Sequence, residues 1–293
     1  MQNQSKAYLY GVLTVLIWST VASAFKISLR YLDVVQLLFY SSLTSLSCLL
    51  SLAAFFYGPR LLKLFSKQVL LRSALLGLLN PFLYYLILFK AYDLLPAQEA
   101  QPLNYTWGIT ITILSIPLLK QNISAGSLGA IIVSYLGVLV ISTHGNPLSL
   151  EFSDPLGVFL ALLSTVIWAL YWIMNTKDEL PPIPRLFLNF LFGTIYLCAF
   201  LPFVSSFSIS PGPGLAGAVY IGLFEMGITF IFWLKALQLS KTTAQVSNLI
   251  YLSPFFSLIF IHFLVGEKIQ PSTIIGLILI LTGLLIQNRT RSN

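Results

Sequence analysis

Apolar residues run along this chain in stretches of about twenty positions, and short polar clusters separate one stretch from the next. About twenty apolar residues coil into a helix that crosses roughly 30 Å of hydrocarbon, so each stretch predicts a membrane span. Cutting at clusters of charge, Pro and Gly gives ten spans, at 8–28, 34–57, 69–91, 97–119, 126–143, 155–175, 184–204, 214–238, 242–265 and 271–288. The connections are short and hold no inserted soluble domain. An open sheet cannot satisfy its backbone in lipid, so the expected fold class is an all-α polytopic membrane protein with ten transmembrane helices.

Composition strengthens this reading. The chain is 57% hydrophobic and 9% charged, against about 45–50% and about 25% for soluble domains. The formal charge of +7 does not point to nucleic acid, because the 16 Lys and Arg residues are scattered between spans and gather on no single face. They report topology instead. With the N-terminus inside, only Lys26, Arg30, Lys90 and Lys268 of those 16 fall outside, so the bias predicts two cytoplasmic termini and a multi-pass protein of the cell (inner) membrane. Under that orientation the glycosylation patterns at Asn122 and Asn288 face the cytoplasm, and the one at Asn104 lies inside a span. Cys48 and Cys198 both sit within spans, which argues against a disulfide framework or a metal site. The N-terminus lacks a cleavage site, so the first span is expected to stay in the membrane.

The chain also repeats itself. "TVLIW" (14–18) matches "STVIW" (164–168), "LFKAYDL" (88–94) matches "WLKALQL" (233–239), and "YTWGI" (105–109) matches "YLSPF" (251–255). Gly137 pairs with Gly283 in the same order. The halves divide at 1–145 and 146–293, with five spans each. Five is odd, so the second half enters the membrane the other way up. Two inverted five-helix repeats point to a secondary transporter with substrate held near the midplane.

Polar residues inside spans are the candidate chemistry. Glu225 lies mid-span in "AVYIGLFEMGITFIFWLKAL" (218–237), where an ionised acid costs about 2.5 kcal/mol or more. The repeat aligns it with Asn80 of "GLLNPFLYY". Two readings stand: Glu225 faces a cavity and binds an amine or a proton, or it bonds structurally to a neighbouring helix. "NYTWG" brings Asn104, Tyr105 and Trp107 together, with Asn104 and Trp107 on one helix face. Mid-span Trp and Tyr need partners for their N–H and O–H, and they offer a stacking wall for a flat substrate. Trp18 and Trp168 form a repeat-related pair, flanked by Ser19 and Thr20 and by Tyr171, and Tyr251, Ser253 and Pro254 are the matching cluster in span nine. Pro81, Pro117 and Pro254 are positions that can free backbone carbonyls. Gly11, Gly77, Gly137, Gly222, Gly276 and Gly283 suit close helix packing. His262 reads as a packing residue near the end of span nine, and His144 as a loop residue. There is no metal motif, phosphate loop or nucleophile pairing within the spans, so neither an enzyme nor a cofactor is expected.

Residues 236–286, "ALQLSKTTAQVSNLIYLSPFFSLIFIHFLVGEKIQPSTIIGLILILTGLLI", resemble the C-terminal repeat of the drug/metabolite transporter superfamily, in its EamA-type branch. The resemblance rests on the small-residue start of span nine, Pro254, Gly266–Glu267, and the glycine pattern of span ten. The N-terminal half resembles the same unit more loosely. "IWST" (17–20), "LNYTWG" (103–108) and "VIWALYWIMNTK" (166–177) are similar to bacterial aromatic amino-acid exporters. Those carry Pro where this chain has Gly108. The resemblance implies a ten-helix basket, with spans 1, 3, 4, 6, 8 and 9 around a cavity and 2, 5, 7 and 10 outside. It also implies that Glu267 is a loop feature at the outer surface, and it favours export over import.

The expectation is a transporter of a small metabolite, an aromatic or neutral amino acid, with lipid and protons as further partners, acting as a monomer or homodimer. The expected substrate-binding residues are Trp18, Asn80, Asn104, Tyr105, Trp107, Trp168, Glu225 and Tyr251. Nucleotide-derived, cofactor or drug-like substrates compete with amino acids. Strongly anionic phosphates are disfavoured, because every Lys and Arg sits near a span end. A membrane-embedded enzyme would need a second catalytic group converging on Glu225, and a sensor would need a sealed, dry core.

Overall fold

The computed structural model describes residues 3–119, 125–148, 152–175, 180–240 and 248–291. Lys120, Lys177 and Lys241 of the charge pattern, and the Asn122 site, lie outside them. Among the described residues the regular structure is all helical, without strands. In chain order the helices are α1 (Gln4–Ser28), α2 (Val34–Tyr57), α3 (Lys67–Gly77), α4 (Tyr84–Leu94), α5 (Ala97–Tyr105), α6 (Trp107–Leu119), α7 (Ala125–Ser142), α8 (Pro155–Asn175), α9 (Pro182–Val204), α10 (Pro213–Tyr220), α11 (Ile228–Leu239), α12 (Ser253–Phe260) and α13 (Pro271–Arg291). Turns of π-helix, at Leu78–Leu83, Ile221–Glu225 and Ile261–Val265, and of 3₁₀-helix, at Asn248–Leu252, join several of them.

Six stretches are long and apolar enough to cross a membrane: Gln4–Ser28, Val34–Leu64, Lys67–Leu94, Pro155–Asn175, Pro182–Val204 and Pro213–Leu239. They correspond to predicted spans one, two, three, six, seven and eight. Spans five, nine and ten appear as shorter apolar helices, Leu128–Ser142, Leu249–Val265 and Pro271–Gln287. Span four is divided at Thr106, between α5 and α6.

Several hydroxyls inside these apolar helices are satisfied locally. Thr14 donates to the Tyr10 carbonyl at 2.9 Å, Thr44 to Tyr40 at 2.8 Å, and Ser28 to Ala24 at 2.7 Å. That four-residue back-bond satisfies these donors within their own helices, whereas the hydroxyls of Ser23 on α1 and of Ser41 and Ser42 on α2 are buried with no partner among the described residues. Large apolar side chains point outward, as Leu128, Ile132 and Leu136 do on α7 and Ile274, Ile275 and Ile278 do on α13.

The helices form two compact units. The first holds Met1–Leu86 with Asp178–Val265, and the second Ile87–Lys177 with Gly266–Asn293. Within the first, α1 packs on α10, α11 and α12, and α9 packs on α2 and α3. A Cβ added at Gly222 would stand 2.4 Å from the Ser41 carbonyl oxygen, and one at Gly77 would stand 2.5 Å from that of Asn189, so both helix contacts require glycine. In the second unit α7 lies along α13, and a Cβ at Gly137 would meet the Gly276 carbonyl at 2.5 Å. Gly276 meets Gly137 reciprocally, and Gly283 backs onto Ser134. Small residues here let backbones touch, as expected for helices associating in lipid.

Glu267 lies in the loop before α13. Its carboxylate accepts the backbone N–H of Ala97 at 2.8 Å and of Gln98 at 3.0 Å. Helix α5 begins after Pro96, which has no capping side chain, so its cap comes from 170 residues along the chain. Gln98 returns the contact, donating to the Lys268 carbonyl at 3.0 Å and accepting from the Gln270 N–H at 2.9 Å.

Candidate functional site

In the first unit α3 gives way to the π-helical turn of Leu78–Leu83, which is interrupted at Asn80. Its backbone (φ −145°, ψ 120°) is extended, and Pro81 follows with no N–H to donate. Asn80 is 2% exposed, and its Oδ1 has no hydrogen-bond partner among the described residues. Pro81 fills the space beside Gly193 of α9, where a Cβ would lie 2.5 Å from the ring.

Glu225 closes the π-helical turn of Ile221–Glu225, and the helix is broken again at Gly227 (φ −126°, ψ −100°) before α11 begins. The carbonyls freed there are taken up by side chains. Ser45 of α2 donates to the Met226 carbonyl at 2.8 Å, and the Thr229 hydroxyl donates to that of Phe224. The Glu225 carboxylate receives the Tyr85 hydroxyl at 3.0 Å. Tyr85 is 1% exposed and stands in the first turn of α4, five positions beyond Asn80. The segment that follows the Asn80 break therefore touches the acid at the second break.

Trp18 sits on uninterrupted α1 and packs against Phe230 and Trp233, with ring centroids 5.9 and 5.8 Å away. Both belong to α11, the helix that starts just after Glu225. The next two residues of α1 reach other breaks. The Ser19 hydroxyl bonds the Val15 carbonyl at 2.6 Å and the Ser253 carbonyl at 3.1 Å, and Thr20 meets the Tyr220 hydroxyl at 2.5 Å. Tyr251 is half-buried in the 3₁₀ turn that precedes Ser253 and Pro254.

The second unit holds the other four candidates. Asn104 and Tyr105 end α5 and Trp107 opens α6, with Thr106 as the break between them, so Asn104 and Trp107 do not share one continuous helix. Asn104 donates to Ser164 of α8 at 3.0 Å. One turn further along α8 is Trp168, buried and stacked on Tyr171 with centroids 5.7 Å apart at 25°. Thr110 of α6 and Thr165 of α8 meet at 2.8 Å. Asn104 thus joins α5 to α8 one turn from Trp168, while Tyr105 and Trp107 are half-buried at the break. Gly108, where the similar exporters carry Pro, faces Leu284 of α13, whose Cδ2 would lie 2.7 Å from an added Cβ.

Six of the eight candidates, Asn80, Asn104, Tyr105, Trp107, Glu225 and Tyr251, therefore stand at or beside helix interruptions. The repeat aligns Asn80 with Glu225 and Tyr105 with Tyr251, and both members of each pair lie at a break. Residues missed in the sequence are Tyr85, Tyr220 and Ser164. Each is a hydroxyl in an apolar helix, a residue that needs a partner, and that need was the one available signal. No group of three or more His, Cys, Asp or Glu side chains able to hold a metal occurs among the described residues.

Comparison with known proteins bears on what these interruptions serve. The profile of the EamA-like transporter family matches residues 5–143 and again 155–289. An "Uncharacterized transporter" of Archaeoglobus fulgidus is 28% identical, over 95% of this chain and 96% of its own length. A protein of Streptantibioticus cattleyicolor named "Probable terminal-alkyne amino-acid exporter" is 26% identical, over 97% of this chain and 94% of its own. A solved crystal structure matches with a TM-score of 0.67 over 98% of each chain, at 18% identity, which is a likeness of fold. The family and these relatives are transporters, not enzymes.

Proposed function

From the membership of this chain in the EamA-like transporter family, we propose that it moves a neutral or aromatic amino acid out of the cell by alternating access. A multi-pass membrane transporter of this family handles a small molecule and is bathed in lipid, and the amino-acid class, the outward direction and the residue roles are the further step. The observation that carries the reading is the coincidence of candidate polar residues with helix interruptions. Discontinuous helices expose backbone groups and polar side chains at depth, where transporters hold substrate. The relative named as an amino-acid exporter supports the substrate class.

In this reading Glu225 binds the substrate amine or a proton, Asn80 and Asn104 orient polar groups, and Trp18, Tyr105, Trp107, Trp168 and Tyr251 supply stacking surface. The two separate matches to the family profile support a duplicated unit divided near residues 145 and 146. Ten spans, inversion of the second half, inner-membrane placement and cytoplasmic termini complete the proposal, supported by the apolar runs and the Lys and Arg bias.

The experiment is uptake of radiolabelled phenylalanine into proteoliposomes containing the purified protein, against empty liposomes. Saturable flux, competed by tryptophan or threonine, is expected. Flux no greater than in empty liposomes, from folded protein, overturns the amino-acid assignment.

A further inference from the structure

Helix α2 runs for 24 residues, about 36 Å at 1.5 Å per residue, which is enough to cross roughly 30 Å of hydrocarbon. Its last turn carries Phe55 and Phe56, 82% and 56% exposed, and α3 begins at Lys67. The connection between them, 58–66, joins two spans and therefore lies at the depth of the lipid headgroups. Gly58 (φ 52°) turns the chain, and a 3₁₀ turn of Gly58–Leu64 follows. With three residues per turn, side chains three apart eclipse one another. Leu61, 7% exposed, and Leu64 form the inward edge. Arg60 and Lys63 form a second edge, and both are exposed. Leu62, 74% exposed, lies on the third, and Phe65 just beyond the turn stacks on Phe187 of α9, with centroids 6.3 Å apart at 24°. The Ser66 hydroxyl then accepts the Val69 N–H at 3.3 Å, and Lys67 is exposed as the first residue of α3.

Charge on this turn is one-sided. No acidic residue lies between Asp33 and Asp93, whereas Arg60, Lys63, Lys67 and Arg72 all do. Arg60, Lys63 and Lys67 form no ion pair among the described residues, and Arg72 is half-buried and engaged within the protein. Three neighbouring cations without a counter-charge attract an anion from outside the chain. Nucleic acid or a soluble anion meets that charge but leaves Phe55, Phe56 and Leu62 uncovered. A lipid with an anionic phosphodiester headgroup meets both features, since segments that set basic side chains beside exposed apolar ones bind anionic lipid surfaces.

We propose that Arg60, Lys63 and Lys67 form a binding surface for an anionic phospholipid, with its phosphodiester on the cations and its acyl chains along Phe55, Phe56 and Leu62. Leu61 beneath the turn and the Phe65–Phe187 stack hold these residues in place, so the surface is formed before the lipid arrives. Lys67 also opens α3, the helix that leads to the interruption at Asn80, and a lipid held here anchors the start of that helix. Either leaflet that carries anionic lipid serves, and the surface stands independently of the substrate proposed above.

The test is binding of radiolabelled phosphatidylglycerol to the purified full-length protein, immobilised in detergent micelles, with unlabelled competitors. Phosphatidylglycerol is expected to compete at least tenfold better than phosphatidylcholine of the same chains or glycerol 3-phosphate. Each Lys or Arg beside an anionic lipid surface strengthens binding about fivefold. Replacing Arg60, Lys63 and Lys67 together by Gln should therefore weaken binding about a hundredfold. Replacing Lys6, Lys90 and Lys268 by Gln removes the same charge elsewhere and should leave binding as it was. Equal losses in the two triple variants, or no loss in the first, overturn the proposal. So does equal competition by phosphatidylcholine, which marks an apolar surface alone, or by glycerol 3-phosphate, which marks a site for soluble anions. If the first triple variant does not fold, Lys63→Gln decides: a loss of about fivefold is expected, and unchanged binding overturns the proposal.

Discussion

Tyr85 and Glu225 divide one task between two side chains, and substitution separates their parts. Glu225→Gln keeps the shape and removes the charge, so flux of an amine substrate is expected to fall about tenfold or more, equivalent to about 1.4 kcal/mol of lost interaction. Tyr85→Phe removes one hydrogen bond to a carboxylate, an effect of about 1.5–3 kcal/mol on the pair. Because the hydroxyl acts through the acid, the double variant should transport no worse than Glu225→Gln alone. Proteoliposome flux of the four proteins, each checked for monodispersity, measures this, and additive losses would show that Tyr85 acts elsewhere. Glu225 was legible in the sequence because an acid within an apolar run is expensive. Tyr85 was not, being one tyrosine among 14. Glu99, an acid at the edge of a span, reads as interfacial, yet its side chain is 1% exposed. What encloses it arrives from residues 144 and 153, which no local pattern places beside it.

At the scale of elements, the apolar runs marked where helices lie but not where they break. Pro81 announced the break at Asn80, and Pro254 that at the start of α12. Pro117 announced nothing visible, since α6 continues through it to Leu119. The break at Gly227 depends on Ser45 and Thr229 accommodating the freed carbonyls, which is a tertiary matter. The glycine contacts can be tested within one helix. Gly137→Val would drive carbon into the α13 backbone and is expected to lower stability in detergent by about 1–3 kcal/mol. Gly129→Ala, on the same helix with open space beyond it, should be neutral or slightly stabilising. Equal thermal shifts for the two would contradict the close α7–α13 contact. Likewise Glu267→Ala removes the cap of α5 and should cost about 1 kcal/mol, read as a lowered unfolding midpoint.

At the scale of the whole molecule, the family was legible from Gly266–Glu267 and the glycines of the last helix, residues that serve contacts any member of the fold would need. The positive bias makes a topological prediction as well. A periplasm-dependent reporter fused after Asn293 should be silent, and one inserted at Asn146 should be active. The reverse pattern would invert the orientation and, with it, the leaflet that Arg60 and Lys63 meet. What no pattern along the chain revealed is how the halves are shared out: each compact unit draws on both.

That sharing has a consequence for biosynthesis. The chain leaves the ribosome from its N-terminus, yet the second unit includes residues from Gly266 onward, and α7 finds its glycine-matched partner in α13. Until that final helix enters the bilayer, the face of α7 at Gly137 stays open to lipid. Nascent chains stalled before Pro271 should accordingly be degraded by membrane proteases, whereas release of about twenty more residues lets assembly finish.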